Sequence, residues 1–498
     1  MVTSVGLSNV VWVLMLANWL LEGRWKEKWH MARESALLQA FAVLLLVHLV
    51  GMLWSDATGL GLHIVERMLP ILAVPLVVLT SKPPEGKTRS LMLAVYIFTV
   101  VAVTIIGLVR VLTIPGLPHR EIVTYISHIR FSLNCCMVIY LLMDNRLWSG
   151  GGSRSASQCL ADRFSVFHYP FSIPRFLLLL WMLAFLLLLR SYTAFAVLAV
   201  ASLVAILRYR RRWQWVAAWV TVAGVLTFMV IQGCRSYYQL GPLASQPLQE
   251  CTANGRPYIH KQDGLVENGN YVNNYLCPEE LKSAWPRRSH VPIDSTTASG
   301  YSVESALIRY LNALGLTKDS AGVAALTDTQ VDEIASGVAN PVYLHGSQLR
   351  KMLYVILFEY ENYRCYHAVL GFTMLQRLEL WRCAWRVIGK HPWFGTGTGD
   401  LHDDMHTEFV AMDSPMLQHE VFPHNEYLTL LSMFGIVGFA VILIFFLRAW
   451  HRRTKPLPPL MLLWLVTILI SCLTENTIDS LAGILFCTWF LAFRQTSD

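Results

Sequence analysis

The stretch VFPHNEYLTLLSMFGIVGFAVIL, residues 421–443, decides the fold of this 498-residue chain. It joins a polar tetrad, His-Asn-Glu-Tyr at 424–427, to an apolar run long enough to enter a membrane as a helix. Two glycines, Gly435 and Gly438, lie inside the run. The tetrad could simply face lipid headgroups at a helix start. Because ionisable groups at a membrane boundary are costly, it is also the first functional candidate.

Composition extends this interpretation to the whole chain. Hydrophobic residues make up 54% of it and charged residues only 15%, whereas soluble domains are about 25% charged. The apolar runs do not alternate, which favours spanning helices over a barrel. We therefore predict an all-α polytopic membrane protein with about 11–12 transmembrane helices. The predicted spans are 6–21, 36–54, 62–80, 91–114, 128–143, 174–190, 192–208, 213–232, 427–449, 458–474 and 478–494.

Basic residues predict the topology. Lys and Arg cluster in short segments between spans, and the positive-inside rule places such segments in the cytoplasm. These segments are 22–35, 81–90, 146–175, 208–213 and 448–455. Simple alternation then puts the N-terminus and the long stretch 233–426 on the other side. The formal net charge of +7 is thus a topology signal, and no nucleic-acid partner is expected.

The stretch between the eighth and ninth spans predicts a large, mainly helical cap outside the membrane. It contains helical patterns at 303–314, 327–337 and 348–390, the last broken near Gly371. The expected domains are 1–232, with the N-terminal spans, 233–426, the cap, and 427–498, with the C-terminal spans.

Several polar residues fall on the predicted outer side. They are Arg130, Arg190, Arg377, Arg382, His424, Asn425, Glu426 and Tyr427. Singly, Arg130 and Arg190 could extend to headgroups, and Arg382 could lie on a solvated or lipid-facing helix surface. Together, guanidinium groups bind phosphate bidentately, and an imidazole can take a proton from an incoming hydroxyl. These residues suit glycosyl transfer from a lipid-linked pyrophosphate, with inversion.

Two other motifs predict no cofactor and no metal. GTGTGD at 395–400 has GxGxG spacing and no preceding strand, so it favours a turn over a dinucleotide site. LHDDMH at 401–406 resembles a metal-ligand set, but a short polar run of this kind is more typical of a solvated loop. The sequence contains no Walker A motif, which argues against nucleotide chemistry.

The C-terminal motifs resemble those of the O-antigen ligase family. The pattern is an Arg-x-x-x-Trp helix, then a Pro-x-x-Gly-x-Gly turn, then His-Asn-x-Tyr-Leu entering a span. Here these are Arg377 with Trp381, residues 392–397, and residues 424–428. Further segments resemble a long form of the family with an enlarged periplasmic region. They are SNVVWVLMLANWLLEGRWKEKW, HLVGMLWS, RYLNALGLTKDSAGVAAL and ENTIDSLAGILF.

The resemblance implies a bacterial inner-membrane enzyme. Such a protein transfers a glycan from undecaprenyl pyrophosphate to lipid A–core on the periplasmic side. It implies that His424 acts as the base or orients the acceptor, and that Arg130, Arg190 and Arg377 hold the pyrophosphate. Relatives often carry Ser-Arg-Thr before the corresponding span, whereas this chain has Tyr192 there and its arginine two residues earlier.

Three alternatives remain open at the level of sequence. A polymerase would use the same donor with a lipid-linked glycan as acceptor. A relative of the pilin oligosaccharyltransferases would modify protein. A transporter or lipid flippase would do no chemistry, but it is expected to show related halves, and the sequence contains no internal repeat.

Overall fold

The computed structural model of the chain describes residues 5–84, 86–114, 117–144, 173–210, 213–261, 264–297, 302–369, 373–418, 422–453 and 457–493. Most of the predicted basic segment 146–175, and Gly371, lie outside these ranges.

Helices dominate the described residues. The first nine are α1 (Val5–Leu21), α2 (Trp25–Glu34), α3 (Ala36–Gly51), α4 (Thr58–Thr80), α5 (Gly86–Thr113), α6 (His128–Met143), α7 (Ile173–Leu189), α8 (Tyr192–Ala205) and α9 (Trp213–Tyr238). A two-stranded antiparallel ribbon follows, β1 (Val266–Glu267) with β2 (Asn270–Tyr271). The short helices after it are α10 (Pro278–Ala284), α11 (Val303–Leu314), α12 (Ser320–Ala324), α13 (Asp328–Ala335) and α14 (Val342–His345). The last six are α15 (Gln348–Tyr366), α16 (Thr373–Lys390), α17 (Leu401–Ala411), α18 (Glu426–His451), α19 (Pro459–Thr474) and α20 (Leu481–Trp489).

The structure confirms an all-α polytopic membrane protein. Each of the eleven predicted spans corresponds to a helix. Five segments are long and apolar enough to cross a membrane by length and composition, namely Ala36–Trp54, Thr58–Thr80, Gly86–Thr113, Val216–Tyr238 and Glu426–His451. The other six are apolar helices of 10–17 residues.

Two segments expected to be loops are helical instead. The basic stretch after the first span forms α2. The LHDDMH run opens α17, so its prediction as a solvated loop was wrong. The segment is helical because its apolar residues have helical spacing: Leu401, Met405 and Phe409 recur four residues apart and are buried. The polar residues between them obscure this pattern in the sequence. Asp403 and Asp404 stand in the first turn of this helix, where carboxylates interact favourably with the helix dipole.

The described chain divides into two compact units, 1–216 with 380–498, and 217–379. We call them unit 1 and unit 2. The boundaries fall inside α9 and α16, so the first part of α16, including Arg377, belongs to unit 2. The expected domain boundaries at 232 and 426 separate the membrane spans from the cap outside the membrane. These boundaries stay a prediction.

Unit 2 has a hydrophobic core of its own. Trp285, Leu307 and Tyr310 are almost completely buried in it. The predicted pattern at 303–314 is confirmed as α11, which begins after Ser302 and ends at Gly315, where φ is 70°. α13 begins with a capping box, in which Thr327 and Gln330 satisfy each other's backbone N–H groups.

The decisive feature of unit 1 is a break in α18. Gly435 has φ 61° and ψ −170°, a conformation that is essentially restricted to glycine. Residues 392–397, part of the connection between α16 and α17, lie against this break. We call this segment the docking loop.

The docking loop replaces the helical hydrogen bonds that the break removes. Thr396 N and Gly397 N donate to Ser432 O and Met433 O, at 3.0 and 2.9 Å. Ile436 N and Val437 N donate to the loop carbonyls of Pro392 and Trp393, at 2.8 and 3.0 Å. Irregular backbone is tolerated inside a membrane protein only where protein satisfies its polar groups, and the docking loop does so here.

The GTGTGD motif is the turn that was predicted, and its glycines serve close approach. A Cβ at Gly397, whose φ is 99°, would lie 3.0 Å from Gly51 O. Asp400 ends the motif and caps the turn before α4. Its carboxylate accepts hydrogen bonds from Ser55 Oγ at 2.9 Å, Asp56 N at 2.9 Å and Ala57 N at 2.7 Å.

We expect Asp400→Ala to destabilise the protein by about 3 kcal/mol, because three donors lose a charged acceptor together. Asp403→Ala is the matched control, since that side chain is 75% exposed. The thermal unfolding midpoint of detergent-purified protein should fall strongly for the first variant and only slightly for the second, which loses no more than a helix-dipole interaction. Equal midpoints would contradict the capping role.

Candidate active site

The polar tetrad forms a sharp turn at the start of α18. His424 adopts the left-handed conformation, with φ 48°, which few residues other than glycine, asparagine, aspartate and histidine adopt. Asn425 follows as the N-cap, and its side chain accepts a hydrogen bond from Leu428 N at 3.1 Å. The left-handed residue at His424 therefore forms the turn, and the helix begins after the next residue, Asn425.

Trp381 fixes the turn from outside. Its indole Nε1 donates to Pro423 O at 2.9 Å. The same face of α16 packs against α18, where Ala384, Ile388 and Leu428 form a small apolar cluster. The tryptophan of the Arg-x-x-x-Trp motif thus positions the residue that precedes His424.

A carboxylate stands beside the imidazole. His424 Nδ1 lies 4.0 Å from Glu475 Oε2, and the two side chains are 36% and 11% exposed. Glu475 ends α19 and opens the connection to α20, which we call the closing loop (residues 475–480). The imidazole and this carboxylate therefore lie within ion-pair distance of each other.

The closing loop is fixed to the start of α18 by two further contacts. Glu426 Oε2 accepts a hydrogen bond from Ile478 N at 2.9 Å. Thr429 Oγ1 donates to Asn476 Oδ1 at 3.2 Å. All four of these residues belong to unit 1, so tetrad and closing loop form one polar assembly.

Arg130 reaches the same assembly from the first turn of α6. Its Nη2 donates to Asn476 O at 3.1 Å. Its Nε is buried and makes no hydrogen bond within the described ranges. The guanidinium is therefore held in place while part of its donor capacity stays unused, as an anion site requires.

A second arginine and a third carboxylate complete the assembly. Arg67 Nη2, on α4, lies 3.5 Å from Asp479 Oδ1. Burial raises the pKa of Asp479, and the positive charges of Arg67, Arg130 and His424 oppose that rise. Cationic and anionic groups thus alternate around the closing loop, which differs from the arginine-rich cluster that the sequence predicted.

Comparison with known proteins gives a partial match. Residues 348–443, from α15 into α18, match the family model described as O-antigen ligase. Over these residues the chain is similar to the O-antigen ligase family. The chain is also 35% identical to an O-antigen ligase of Pseudomonas aeruginosa over 104 residues. This alignment covers 20% of the chain and 24% of that relative. The chain thus matches about a quarter of the relative's length.

The structure also describes the surroundings of the remaining predicted site residues. Arg190 is exposed, has φ 51°, and its side chain has no polar partner in the part of the chain that the structure describes. Tyr427 donates its hydroxyl to Leu469 O at 3.0 Å, which ties α18 to α19. Arg382 is exposed on α16, and its role, like that of Arg377 in unit 2, stays a prediction.

Sequence reasoning did not assign Arg67 or Asn476 to the site. One signal was available, because Arg67 stands as a charged residue inside an apolar span, and such residues default to functional hypotheses. For Asn476 no local signal exists, since its contribution is partly a backbone carbonyl whose position depends on the fold.

A separate ion-pair group lies between α16 and α17. Arg386 Nε lies 2.8 Å from Glu408 Oε2, and Lys390 Nζ pairs with the other carboxylate oxygen. Two basic residues of α16 therefore form ion pairs within the protein. The basic face of this helix is thus not left wholly to solvent or lipid phosphate. Burial of Glu408 raises its pKa, but hydrogen bonds from Lys390 and Arg386 outweigh this, so the pKa is lowered.

This pair predicts acid sensitivity. Because the folded-state pKa of Glu408 lies below its ordinary value of 4.5, its stabilisation is complete above that pH and is lost as pH falls through the folded-state pKa. Glu408→Gln should show a shallower loss of thermal stability between about pH 5 and pH 3 than the unmodified protein. Parallel stability profiles for the two proteins would show that the pair contributes nothing.

No group of three His, Cys, Asp or Glu side chains arranged to hold a metal occurs among the described residues. Within the LHDDMH run, His402 Nδ1 lies 3.2 Å from Asp403 Oδ1.

Proposed function

We propose that this protein is an O-antigen ligase that transfers a glycan from undecaprenyl pyrophosphate to lipid A–core at the periplasmic face of the bacterial inner membrane. The observation that carries the proposal is the meeting of His424, Glu475 and Arg130 on one assembly. His424 and the following tetrad residues lie inside the segment that matches the O-antigen ligase family.

The proposed step is a single displacement with inversion. The acceptor hydroxyl attacks the anomeric carbon while the bond from that carbon to the phosphate oxygen breaks. His424 takes the hydroxyl proton, and Glu475 stabilises the imidazolium that forms. The pyrophosphate departs with the bonding electron pair, so negative charge develops on its oxygen.

Arginines stabilise that developing charge. Arg130 is the best placed in unit 1, since its guanidinium is held by Asn476 O and retains a free donor. Arg67 is a second cation of the same assembly, although Asp479 already neutralises part of its charge. Family resemblance adds Arg377. None of these steps requires a metal, and we expect activity to persist in EDTA.

The test is the surface glycan of a strain that lacks the gene. Bare lipid A–core together with accumulating lipid-linked polymer is the result expected for a ligase. Core that carries one repeat unit would assign the protein as a polymerase instead. Loss of lipid-linked glycan from the outer side of the membrane, with no purified activity, would favour a transporter.

A second test uses purified protein. Detergent-solubilised full-length chain, mixed with undecaprenyl-pyrophosphate-linked glycan and lipid A–core, should yield glycosylated core with release of the carrier pyrophosphate. Failure of this reaction with well-folded protein would refute the proposal.

A further inference from the structure

A short polar helix, α2, lies where two apolar helices of unit 1 end. α1 ends at Leu21, and α3 begins at Ala36. Gly23 and Arg24 have positive φ values of 69° and 54°, and Ser35 is extended as the N-cap of α3, so non-helical residues separate α2 from both neighbours. α2 is therefore a separate helix at one face of the membrane, the face that the positive-inside rule predicts to be cytoplasmic.

Lys28 holds α2 against the end of α1. Although it is a lysine, it is only 2% exposed. Its ammonium group donates to Trp19 O and lies 3.1 Å from Glu22 Oε2. It also lies 4.6 Å from the centre of the Trp19 ring and 5.7 Å from that of Trp25, distances at which a cation is attracted to an aromatic face. Because turning the helix would leave a buried charge without these partners, Lys28 fixes which side of α2 faces the protein.

The side of α2 next to Lys28 carries exposed aromatic and basic residues. Trp25 and Trp29 stand four positions apart, so they share a face, and they are 53% and 66% exposed. Lys26 and Arg33 stand three and four positions from Trp29, on the adjoining face. Within the described ranges, neither of these two basic side chains has an ion pair or a hydrogen bond. Aromatic rings and free cations therefore lie side by side on this helix.

The opposite side of α2 is acidic. At about 100° per residue, Glu27 and Glu34 share a face that lies across the helix from the tryptophans. His30 belongs to this face too, and its Nδ1 lies 3.4 Å from Glu34 Oε2. The order around the helix is thus aromatic, basic and acidic. A membrane boundary has the matching order, since tryptophan favours the interface below the headgroups, cations favour the phosphates, and carboxylates favour water.

We propose that α2 lies in the headgroup region of a phospholipid bilayer, with Trp25 and Trp29 turned toward the acyl chains and Lys26 and Arg33 at the level of the phosphates. Lys28 sets this rotation of the helix. The proposal is independent of the proposed function, because it involves no group of the polar assembly.

A protein partner fits this surface less well than lipid does. α2 has only ten residues, and two tryptophans bury at most about 500 Å². A stable protein interface buries about 800 Å² on each partner. Leu21, the last residue of α1, is also exposed, and a bilayer would cover it together with the tryptophans.

The test introduces a photo-crosslinking benzophenone side chain into α2 of the full-length protein. One chain carries it in place of Trp29. A second carries it in place of Glu34, the matched control, since both side chains are mostly exposed and lie on opposite sides of the helix. Each chain is reconstituted in nanodiscs of phosphatidylethanolamine and phosphatidylglycerol and then illuminated. Benzophenone inserts into nearby C–H bonds, and mass spectrometry of the intact protein counts the lipid adducts.

We expect at least about fivefold more lipid adduct from position 29 than from position 34, because only the first faces the acyl chains. Comparable yields at the two positions would overturn the proposal. A cross-linked dimer from position 29 would assign the surface to a second copy of the chain and would also overturn it.

Two further variants test the role of Lys28 in both benzophenone chains. Lys28→Met removes the ammonium group. Glu22→Gln removes only the charge of one partner, so it is the milder change and decides the question if Lys28→Met does not fold. The unfolding midpoint shows which variants are folded. The ratio of adducts at position 29 to position 34 should fall by at least about twofold in each folded variant. An unchanged ratio would overturn the role of Lys28 in setting the rotation.

Discussion

His424→Asn is expected to reduce glycan transfer by 10²- to 10⁴-fold, the range that a positioned general base contributes. Asparagine is the informative replacement because His424 has a φ of 48°, and asparagine tolerates the left-handed conformation better than most residues. The turn and the N-cap at Asn425 should therefore survive while the basic nitrogen is lost. The rate of core glycosylation by purified protein is the measurement.

Two controls make the result specific. His63→Ala removes an exposed imidazole elsewhere in unit 1 and should leave transfer unchanged. The amount of His424→Asn protein in the membrane, and its unfolding midpoint, should match those of the unmodified chain. Transfer within about threefold of normal by well-expressed His424→Asn protein would remove this imidazole from the mechanism.

Gly435→Ala is expected to cause the largest loss of stability, about 3 kcal/mol or more. A Cβ at this position would lie 2.5 Å from Phe394 N, and the backbone conformation is essentially restricted to glycine. The protein should therefore fail to dock residues 392–397 against α18. A lower unfolding midpoint and reduced yield of monodisperse protein in detergent would report this.

Gly389 provides the matched control, because it lies inside α16 and a Cβ there would meet no atom within 4 Å. Gly389→Ala should be neutral or stabilising by up to about 1 kcal/mol, since alanine favours a helix over glycine. If the two alanine variants unfolded at the same temperature, the break at Gly435 would have no structural importance.

The length of the apolar runs sufficed to predict the spans because a membrane leaves few alternatives for a long apolar segment. Helix bounds in unit 2 were also predictable where capping residues are explicit, as at Thr327 and Gly315. The break in α18 was not predictable, because an apolar run that contains Gly435 and Gly438 is equally compatible with a straight helix. Only the docking loop, about 40 residues earlier in the chain, makes the broken form favourable.

The site shows the same limit. The sequence indicated His424 and Arg130 because charged residues at the ends of apolar runs stand out. It could not indicate that Asn476 would hold Arg130 through a backbone carbonyl, or that Glu475 would lie beside His424. The role of Arg190 stays a prediction, since its side chain has no polar partner within the described ranges that would assign it another role.

The exchange of hydrogen bonds at Gly435 has a consequence for biogenesis. A nascent span that enters the bilayer before the rest of the protein has assembled must satisfy its own backbone, and an unbroken helix does so by bonding Ser432 O to Ile436 N and Met433 O to Val437 N. The folded chain makes neither bond. We therefore expect this helix to insert as a straight helix and to break only later, when residues 392–397 replace its internal hydrogen bonds. Maturation of the protein would then include a late rearrangement within the lipid.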